Sequence, residues 1–293
     1  MVIICKDIQS VREAIHKKKL ENDKPYYEVK VSFVPTMGYL HQGHLSLVSR
    51  AKQEGDISVV SIFVNPTQFN ANEDLSTYPV DIENDTRLLE SVQTDILFLP
   101  TPQLMYPNEY STYVSVDSMD QVLEGKARPG HFRGVATVVS KLLNIVQPHS
   151  LLIGQKDAMQ CICIRRLVED LNFNTKVIVC DTVREDNGLA KSSRNSYLSQ
   201  EEQKQASLIN ETMNQFKNNT QSFNNRTEFI DALTKEIEKN PLMKVEYISI
   251  ASQSTGLEIN DDIYPPPPLS NLSLAVFFQG EKRKTRLIDV ILF

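Results

Sequence analysis

The chain has 293 residues, of which 41% are hydrophobic and 23% are charged, and its formal net charge at pH 7 is −6. This length and composition are typical of a globular protein with one large domain or two smaller ones, and two is the working prediction. An acidic chain lacks the basic surface that binds a nucleic-acid backbone, and no stretch approaches the ~20 apolar residues of a membrane span, so neither kind of partner is expected.

The N-terminal segment and the cysteines indicate the compartment. The first 20 residues combine acidic side chains with a helical apolar pattern, which differs from the basic and apolar regions of a secretory signal. The four cysteines lack the paired spacing of a zinc site and are too few for a disulfide scaffold. We therefore expect a cytoplasmic protein with reduced thiols.

Strand-like apolar runs alternate with helical patterns up to residue 180, which is typical of βαβ units around a parallel sheet. The predicted strands are 29–34, 57–64, 96–99, 150–153 and 176–180. The predicted helices are 8–20, 43–54, 82–92, 132–146 and 158–171. Ligands of such open sheets bind beyond the carboxyl ends of the strands, so the segments that follow strands are the candidate site.

The pattern changes after residue 199. Two polar helical stretches are followed by possible strands at 245–250, 272–278 and 285–291, with no helix between the last two. This order predicts a smaller α+β domain with an antiparallel sheet.

The segment 35–44, PTMGYLHQGH, follows the first predicted strand and opens a helix. A helix N-terminus offers unpaired backbone N–H groups and the positive end of the helix dipole, which together bind phosphate. Gly38 and Gly43 allow a ligand to approach closely, and His41 and His44 can donate hydrogen bonds to phosphate oxygens. The alternative is one histidine cap and one surface histidine, because short motifs often arise by chance.

Two more candidate phosphate segments follow later strands. In the first, Gly154 permits close backbone approach, Lys156 carries a mobile charge, and Asp157 can cap a helix or hold a ribose hydroxyl. In the second, residues 191–195, KSSRN, place two hydroxyls between two cations, which suits a loop that closes over a triphosphate at an interdomain cleft. An ordinary strand-to-helix turn and a polar linker are the alternatives.

Amide and charged side chains complete the candidate site. Residues 65–69, NPTQF, offer amide donors and an apolar wall for a small hydroxylated carboxylate, and a structural turn is the alternative. The acidic residues within 81–85 begin a helix, where carboxylates favour the dipole, and one of them can reach Mg²⁺ carried by a nucleotide. Residues 128–134, RPGHFRG, begin a long apolar helix, and the two arginines of this segment, Arg128 and Arg133, can face anionic ligands.

The chain resembles the pantothenate synthetases, because six segments occur in the order found in that family: PTMGYLHQGHLSLV, NPTQF, ARPGHFRGVATVV, GQKDAMQ, TVRE and SSRNSYLS. The resemblance spans residues 29–199 and continues to residues 285–289. It implies an α/β, Rossmann-like parallel sheet of the nucleotidyltransferase superfamily in residues 1–182. It also implies a smaller C-terminal α+β lid domain with an antiparallel sheet in residues 183–293, and a homodimer.

The resemblance further implies that (R)-pantoate is joined to β-alanine while ATP becomes AMP and pyrophosphate, with Mg²⁺ present and a pantoyl-adenylate as intermediate. Its implied ATP-binding residues are Met37, Gly38, Tyr39, Leu40, His41, Gln42, Gly43, His44, Gly154, Gln155, Lys156, Asp157, Val183, Lys191, Ser192, Ser193 and Arg194. The implied catalytic residues are His44, as proton donor, with His41 and Lys156. Gln68 and Gln160 are implied to bind pantoate, with Gln68 also near β-alanine.

Several positions depart from the family pattern. Tyr39 stands where Ala is common, Gln155 where Glu is common, and Lys191 where Leu or Met is common. Asn84 precedes Asp85 where two carboxylates are expected, which leaves Asp85 as the implied metal ligand. Gln155 removes a negative charge near the nucleotide, and Lys191 adds a positive charge to the flexible loop.

Other functions fit parts of this pattern. A plain nucleotidyltransferase shares the histidine junction but gives no reason for the paired glutamines Gln68 and Gln160. A nucleotide-binding regulatory module without turnover has no need of His41, His44 and Lys156, and an RNA-binding synthetase fragment does not suit an acidic chain. Residue chemistry alone reaches a small hydroxy acid and an amine, whereas pantoate and β-alanine come from the resemblance.

Overall fold

The computed structural model describes residues 1–71, 73–119 and 121–293. The chain divides into two compact units. The first unit consists of Met1–Gly154 and Cys163–Cys180, and the second consists of Gln155–Ile162 and Asp181–Phe293. Within the described residues, none of the helices combines the length and apolar character needed to cross a membrane.

The first unit is built on a six-stranded sheet. Its strands are β1 (Ile3–Cys5), β2 (Val31–Thr36), β3 (Ile57–Ile62), β4 (Ile96–Phe98), β5 (Ser150–Gly154) and β6 (Lys176–Cys180). They lie in the order β1-β4-β3-β2-β5-β6 and every neighbouring pair is parallel. All six residues of β3 are buried, as expected for a strand of a parallel sheet that reads as a continuous apolar run.

Helices follow most of these strands. They are α1 (Ile8–Leu20), α2 (Gln42–Glu54), α3 (Ile82–Ser91), α4 (Pro102–Met105), α5 (Leu123–Ala127) and α6 (His131–Val146), and α7 (Ala158–Asp170) contributes residues to both units. Helix α6 carries a long buried apolar face, and its buried residues include Phe132 and Leu143. The predicted α/β class with a parallel sheet is confirmed.

The strand order brings the candidate segments that follow β2 and β3 to neighbouring carboxyl ends of the sheet. Strand β2 lies between β3 and β5, and its last residue, Thr36, pairs in register with Ile62 of β3. From β2 the chain proceeds to β3 and β4 on one side, then returns to β5 and β6 on the other. The switch in direction therefore falls between β2 and β5, the position at which open α/β sheets bind ligands.

The second unit is an α+β assembly. Its helices are α8 (Gln200–Ala206), α9 (Leu208–Asn218) and α10 (Arg226–Ile237), and its strands are β7 (Met243–Ser252), β8 (Ser270–Gln279) and β9 (Lys284–Leu292). The strands form an antiparallel sheet in the order β7-β8-β9, as predicted. Phe229 and Leu233 of α10 and Leu272 and Phe278 of β8 belong to one buried apolar cluster.

The second unit also contains residues 155–162, which the sequence prediction placed in the first domain. The reason is packing: the turn Gln155–Asp157 lies against β9, and a Cβ at Gly256 would be 2.9 Å from Cε of Met159. The other boundary between the units falls after Cys180, whereas the predicted domain boundary falls after residue 182.

Candidate active site

A pair of histidines closes the turn after β2. His41 is the N-cap of α2, and its Nδ1 accepts a hydrogen bond from the backbone N–H of Gly43 at 3.1 Å. In return, Nδ1 of His44 accepts from the backbone N–H of His41 at 3.3 Å. The ring centroids are 4.1 Å apart. The pair forms a capping box in which imidazoles replace the usual hydroxyl and carboxylate groups.

These bonds fix the position of the ring protons. A ring nitrogen that accepts an N–H bond carries no proton of its own, so the ring hydrogen of each imidazole is placed on Nε2. Each ring then has an N–H donor on the side away from the cap. The start of α2 therefore carries two neighbouring imidazole donors suited to phosphate oxygens.

The backbone N–H groups of the same turn are occupied, which corrects the expectation that they are unpaired. Asp85 of α3 accepts from the N–H of Tyr39 at 2.8 Å and of Leu40 at 2.7 Å. The N–H groups of His41 and Gly43 are taken by the two rings. A carboxylate 46 positions further along the chain thus fills the anion-binding nest that a phosphate would otherwise use.

A chain of side-chain bonds connects the turn after β3 with the turn after β2. Asn65 caps the 3₁₀ turn Pro66–Gln68 and donates from Nδ2 to Oε1 of Gln68 at 3.0 Å. Gln68 in turn directs Nε2 to Sδ of Met37 at 3.2 Å. The Tyr106 hydroxyl donates to Oδ1 of Asn65 at 2.7 Å, and burial raises the pKa of Tyr106 to about 12, so it remains a donor at neutral pH. Both ends of the Gln68 amide are therefore oriented.

A buried charged network holds the backbone of this turn. Nδ1 of His131 donates to the carbonyl oxygen of Gln68 at 2.8 Å, and its Nε2 accepts from Arg128 at 3.1 Å. Burial, and then the Arg128 charge, lower the pKa of His131 and keep the ring neutral. Arg128 also forms ion pairs with Glu73 and Glu124, and its side chain is only 13% exposed. The expectation that Arg128 faces an anionic ligand is therefore corrected: it supports the turn.

Gly134 marks the contact between α6 and this turn. A Cβ at Gly134 would lie 2.6 Å from the carbonyl carbon of Thr67 and 2.7 Å from Cα of Gln68, and backbone atoms cannot move aside easily. We expect Gly134→Ala to lower the free energy of unfolding by about 1–3 kcal/mol, because overpacking exceeds the gain of ~1 kcal/mol in helix propensity. Urea denaturation measures the loss.

Gly154→Ala is the matched control for that measurement. No atom of the described residues lies within 4 Å of a Cβ placed there, apart from its chain neighbours, so we expect an unfolding free energy close to that of the parent. Equal stability of the Gly134→Ala protein and the parent would refute the tight packing of α6 on the turn.

Residues 155–160 form the candidate segment of the second unit. Gln155–Asp157 is a 3₁₀ turn, and α7 begins directly after it. Lys156, Asp157 and Gln160 are half-buried. The roles predicted for these residues, on the ATP phosphates, the ribose and pantoate, stay predictions.

Val183 and Lys191 lie opposite each other at the open end of a hairpin. The N–H of Lys191 donates to the carbonyl of Val183 at 3.0 Å, and an isolated bridge joins Arg184 to Ala190. The Lys191 ammonium pairs with Glu185. The positive charge that departs from the family pattern is therefore balanced within the hairpin.

The segment after the hairpin has a defined conformation. Ser192 caps the 3₁₀ helix Ser193–Tyr197 by accepting from the N–H of Arg194 at 3.3 Å. Asn195 donates from Nδ2 to the carbonyl of Ala190 at 3.0 Å, and Ser193 is buried. Closure of this segment over a triphosphate stays a prediction.

The second unit also joins two motifs that lie far apart in the sequence. Arg184, within TVRE, donates to both carboxylate oxygens of Asp289, at 2.8 and 2.9 Å. Asn210 donates to the same carboxylate at 3.3 Å. Because Asp289 is buried, this bidentate pair ties the hairpin to β9.

Asp85 does not fit the predicted role of a magnesium ligand. Asp85 is 0% exposed, and each of its carboxylate oxygens accepts a hydrogen bond from a backbone N–H group. Burial, the larger influence, raises the pKa of Asp85, while the two N–H bonds lower it. In the part of the chain that the structure describes, no group of three or more His, Cys, Asp or Glu side chains could hold a metal ion.

The sequence is similar to those of known pantoate–β-alanine ligases. The family model described as pantoate-beta-alanine ligase matches residues 3–292. A pantoate–beta-alanine ligase of Dictyostelium discoideum is 68% identical over 297 aligned residues, which cover 99% of each chain.

Two solved structures extend this likeness to the fold. The pantothenate synthetase of Thermus thermophilus has a TM-score of 0.87 at 36% identity, with 99% of both chains covered. The pantoate-beta-alanine ligase of Francisella tularensis has a TM-score of 0.78 at 37% identity, with 100% of this chain and 98% of that chain covered. That second structure is a complex with beta-gamma ATP and beta-alanine.

Proposed function

The chain belongs to the pantoate–β-alanine ligase family, and we propose on this premise that its histidine-capped turn binds the ATP phosphates while pantoate is activated. The reaction is the ligation of pantoate to β-alanine. The observation that carries the proposal is the pair of imidazole N–H donors at the start of α2, beside the switch point between β2 and β5.

The protein is proposed to accelerate this reaction by positioning charged groups and hydrogen-bond donors, and not by forming a covalent bond to a substrate. The carboxylate of pantoate attacks the α-phosphorus of ATP, and the bond to pyrophosphate breaks, so negative charge moves onto the departing oxygen. His44, His41 and Lys156 are the proposed donors to that charge. The amine of β-alanine then attacks the acyl carbon, and AMP leaves with the bonding electrons while the amine loses its proton.

The organic substrate is assigned to the glutamines. Gln68 is proposed to bind pantoate and to lie near β-alanine, and its amide is held by Asn65 on one side and Met37 on the other. Such a fixed neutral amide can select hydroxyl and carboxylate groups without adding a charge to a phosphate site. Gln160 is proposed as the second pantoate ligand on the resemblance alone.

The remaining parts of the proposal also rest on the family resemblance. These are the lid function of residues 183–293, a homodimer and a cytoplasmic location. Mg²⁺ is proposed to arrive with ATP, held by phosphate oxygens and water, where it would neutralise phosphate charge. No residue of this chain is assigned to the metal.

Pantoate-dependent exchange of labelled pyrophosphate into ATP tests the proposal. We expect exchange with ATP, Mg²⁺ and pantoate in the absence of β-alanine, because the adenylate forms before the amine reacts. Addition of β-alanine is expected to yield AMP and pantothenate in equal amounts. AMP release that ignores both organic substrates would instead identify a plain nucleotidyltransferase or hydrolase.

A further inference from the structure

Asp85 is a buried carboxylate in the first unit that takes no direct part in the proposed reaction. Asp85 lies in the first turn of α3 and is fully buried. Its Oδ2 accepts from the N–H of Tyr39 at 2.8 Å and its Oδ1 from the N–H of Leu40 at 2.7 Å. Short bonds from two consecutive N–H groups to the two oxygens of one carboxylate form a rigid clamp.

The turn that this clamp holds has an unfavourable backbone conformation. Gly38 has φ +86° and Tyr39 has φ +52°, and the left-handed region is costly for a tyrosine. The turn is also tightly packed, since a Cβ at Gly38 would lie 2.8 Å from Cγ2 of Ile62 and 3.1 Å from Oδ2 of Asp85. A strained turn of this kind persists only where surrounding groups determine it, and Asp85 supplies two of the bonds that do so.

The turn leads directly into the histidine pair. Leu40, which donates to Asp85, is followed by His41, and the backbone N–H of His41 is the group that His44 accepts from. The placement of both rings therefore depends on the path of the chain through residues 38–41. A displacement of about 1 Å at a reacting group can cost ~10²-fold in rate, so the clamp matters for chemistry as well as for folding.

We propose that Asp85 is a positioning residue for adenylation, which aims His41 and His44 by holding the N–H groups of Tyr39 and Leu40. The inference rests on the proposed function of the histidine-capped turn. It replaces the role of Asp85 as a magnesium ligand, because both oxygens serve the turn and the side chain has no exposed surface.

Asp85→Asn tests the proposal with little change in shape. One amide oxygen can accept one of the two N–H groups, but the NH₂ group faces the other. We expect kcat of the pantoate-dependent exchange to fall ~10-fold or more, with an unchanged Mg²⁺ concentration at half-maximal rate. Restoration of the parent rate by excess Mg²⁺ would instead support a metal ligand and overturn the proposal.

Asp81→Asn is the control on the same helix. Asp81 caps α3 by accepting from the N–H of Asn84 at 3.0 Å, and Asn is as good an N-cap as Asp. We expect the parent kcat from this acid-to-amide change. A loss as large as that of Asp85→Asn would show that the charge of α3, and not the clamp, is responsible.

A double substitution tests whether Asp85 acts through His44. In the His44→Asn protein, Asp85→Asn is expected to lower kcat by only ~3-fold, because one of the two rings that it positions is already absent. The full ~10-fold loss in that background would place the action of Asp85 elsewhere. Absence of exchange in the parent would refute the proposed function, whereas normal exchange in both the parent and Asp85→Asn would refute this inference alone.

The unsubstituted protein supplies a test that does not depend on folding of a variant. Without ATP, the amides of Tyr39 and Leu40 are expected to exchange with deuterium ~10²-fold more slowly than unprotected amides, because Asp85 holds both. Unprotected exchange at these two positions would overturn the clamp.

Discussion

His44→Asn is expected to lower kcat of the pantoate-dependent exchange by ~10²-fold or more, the scale seen when one preorganised donor to a developing oxyanion is removed. The amide oxygen of Asn can take the place of Nδ1, which accepts from the N–H of His41. The variant therefore keeps the cap and loses only the Nε2–H donor. Its melting temperature is expected to stay within ~2 °C of the parent, and differential scanning fluorimetry measures it.

His44→Gln tests the donor from the other direction. Glutamine is a usual residue at this position of a capping box, so its amide oxygen can accept from the N–H of His41, or its NH₂ group can donate near the position of Nε2. We expect a higher kcat than that of His44→Asn and an unfolding free energy within ~1 kcal/mol of the parent. If His44→Asn were the more active of the two, the ring would be needed for capping and not for donation.

The secondary structure was largely predictable because each element carries its own local pattern. Helix α1 has the predicted bounds, and strands β2 to β9 lie within a few residues of the predicted ones. Strand β1 was missed, since it has only three residues and two of them, Ile3 and Ile4, are exposed. An edge strand of that length has no periodicity from which it could be recognised.

The composition of the histidine turn was predictable, but its bonding was not. The prediction that His41 and His44 lie at a helix start rests on local spacing. Nothing in that spacing indicates that Asp85 fills the anion-binding nest, because the two partners are 46 positions apart and only the packing of α3 brings them together. The unpaired N–H groups that the local rule predicts are therefore occupied.

The contacts that fix Gln68 could not be predicted from local sequence either. The segment NPTQF after a strand predicts the turn that contains Gln68. It does not indicate that His131, 63 positions away, donates to the carbonyl of Gln68, or that Tyr106 donates to Asn65. Tyr106 lies in a region without periodic pattern, so no local signal could identify it. Arg128 is predicted to bind an anionic ligand because local sequence does not reveal its partner, Glu73, which is 55 positions away.

Lys156→Ala is expected to reduce the exchange rate by ~10²-fold or more, because a point charge on the α- and β-phosphates stabilises the charge that moves onto pyrophosphate. Lys156 lies on a 3₁₀ turn and is half-buried, so its removal leaves no large cavity. Stability is therefore expected to change by less than ~0.5 kcal/mol, as is usual for such positions. Urea denaturation separates this outcome from a folding defect.

The second half-reaction makes the assignment of Lys156 specific. Once the adenylate has formed and pyrophosphate has left, the lysine has lost its main partner, so single-turnover transfer from preformed pantoyl-adenylate to β-alanine is expected to slow much less than the exchange. Lys191→Ala is the comparison, since Lys191 is already paired with Glu185 and its loss is expected to lower exchange by no more than ~10-fold. Equal slowing of both half-reactions in Lys156→Ala would mean that the lysine holds the acyl group or AMP instead of the departing phosphates.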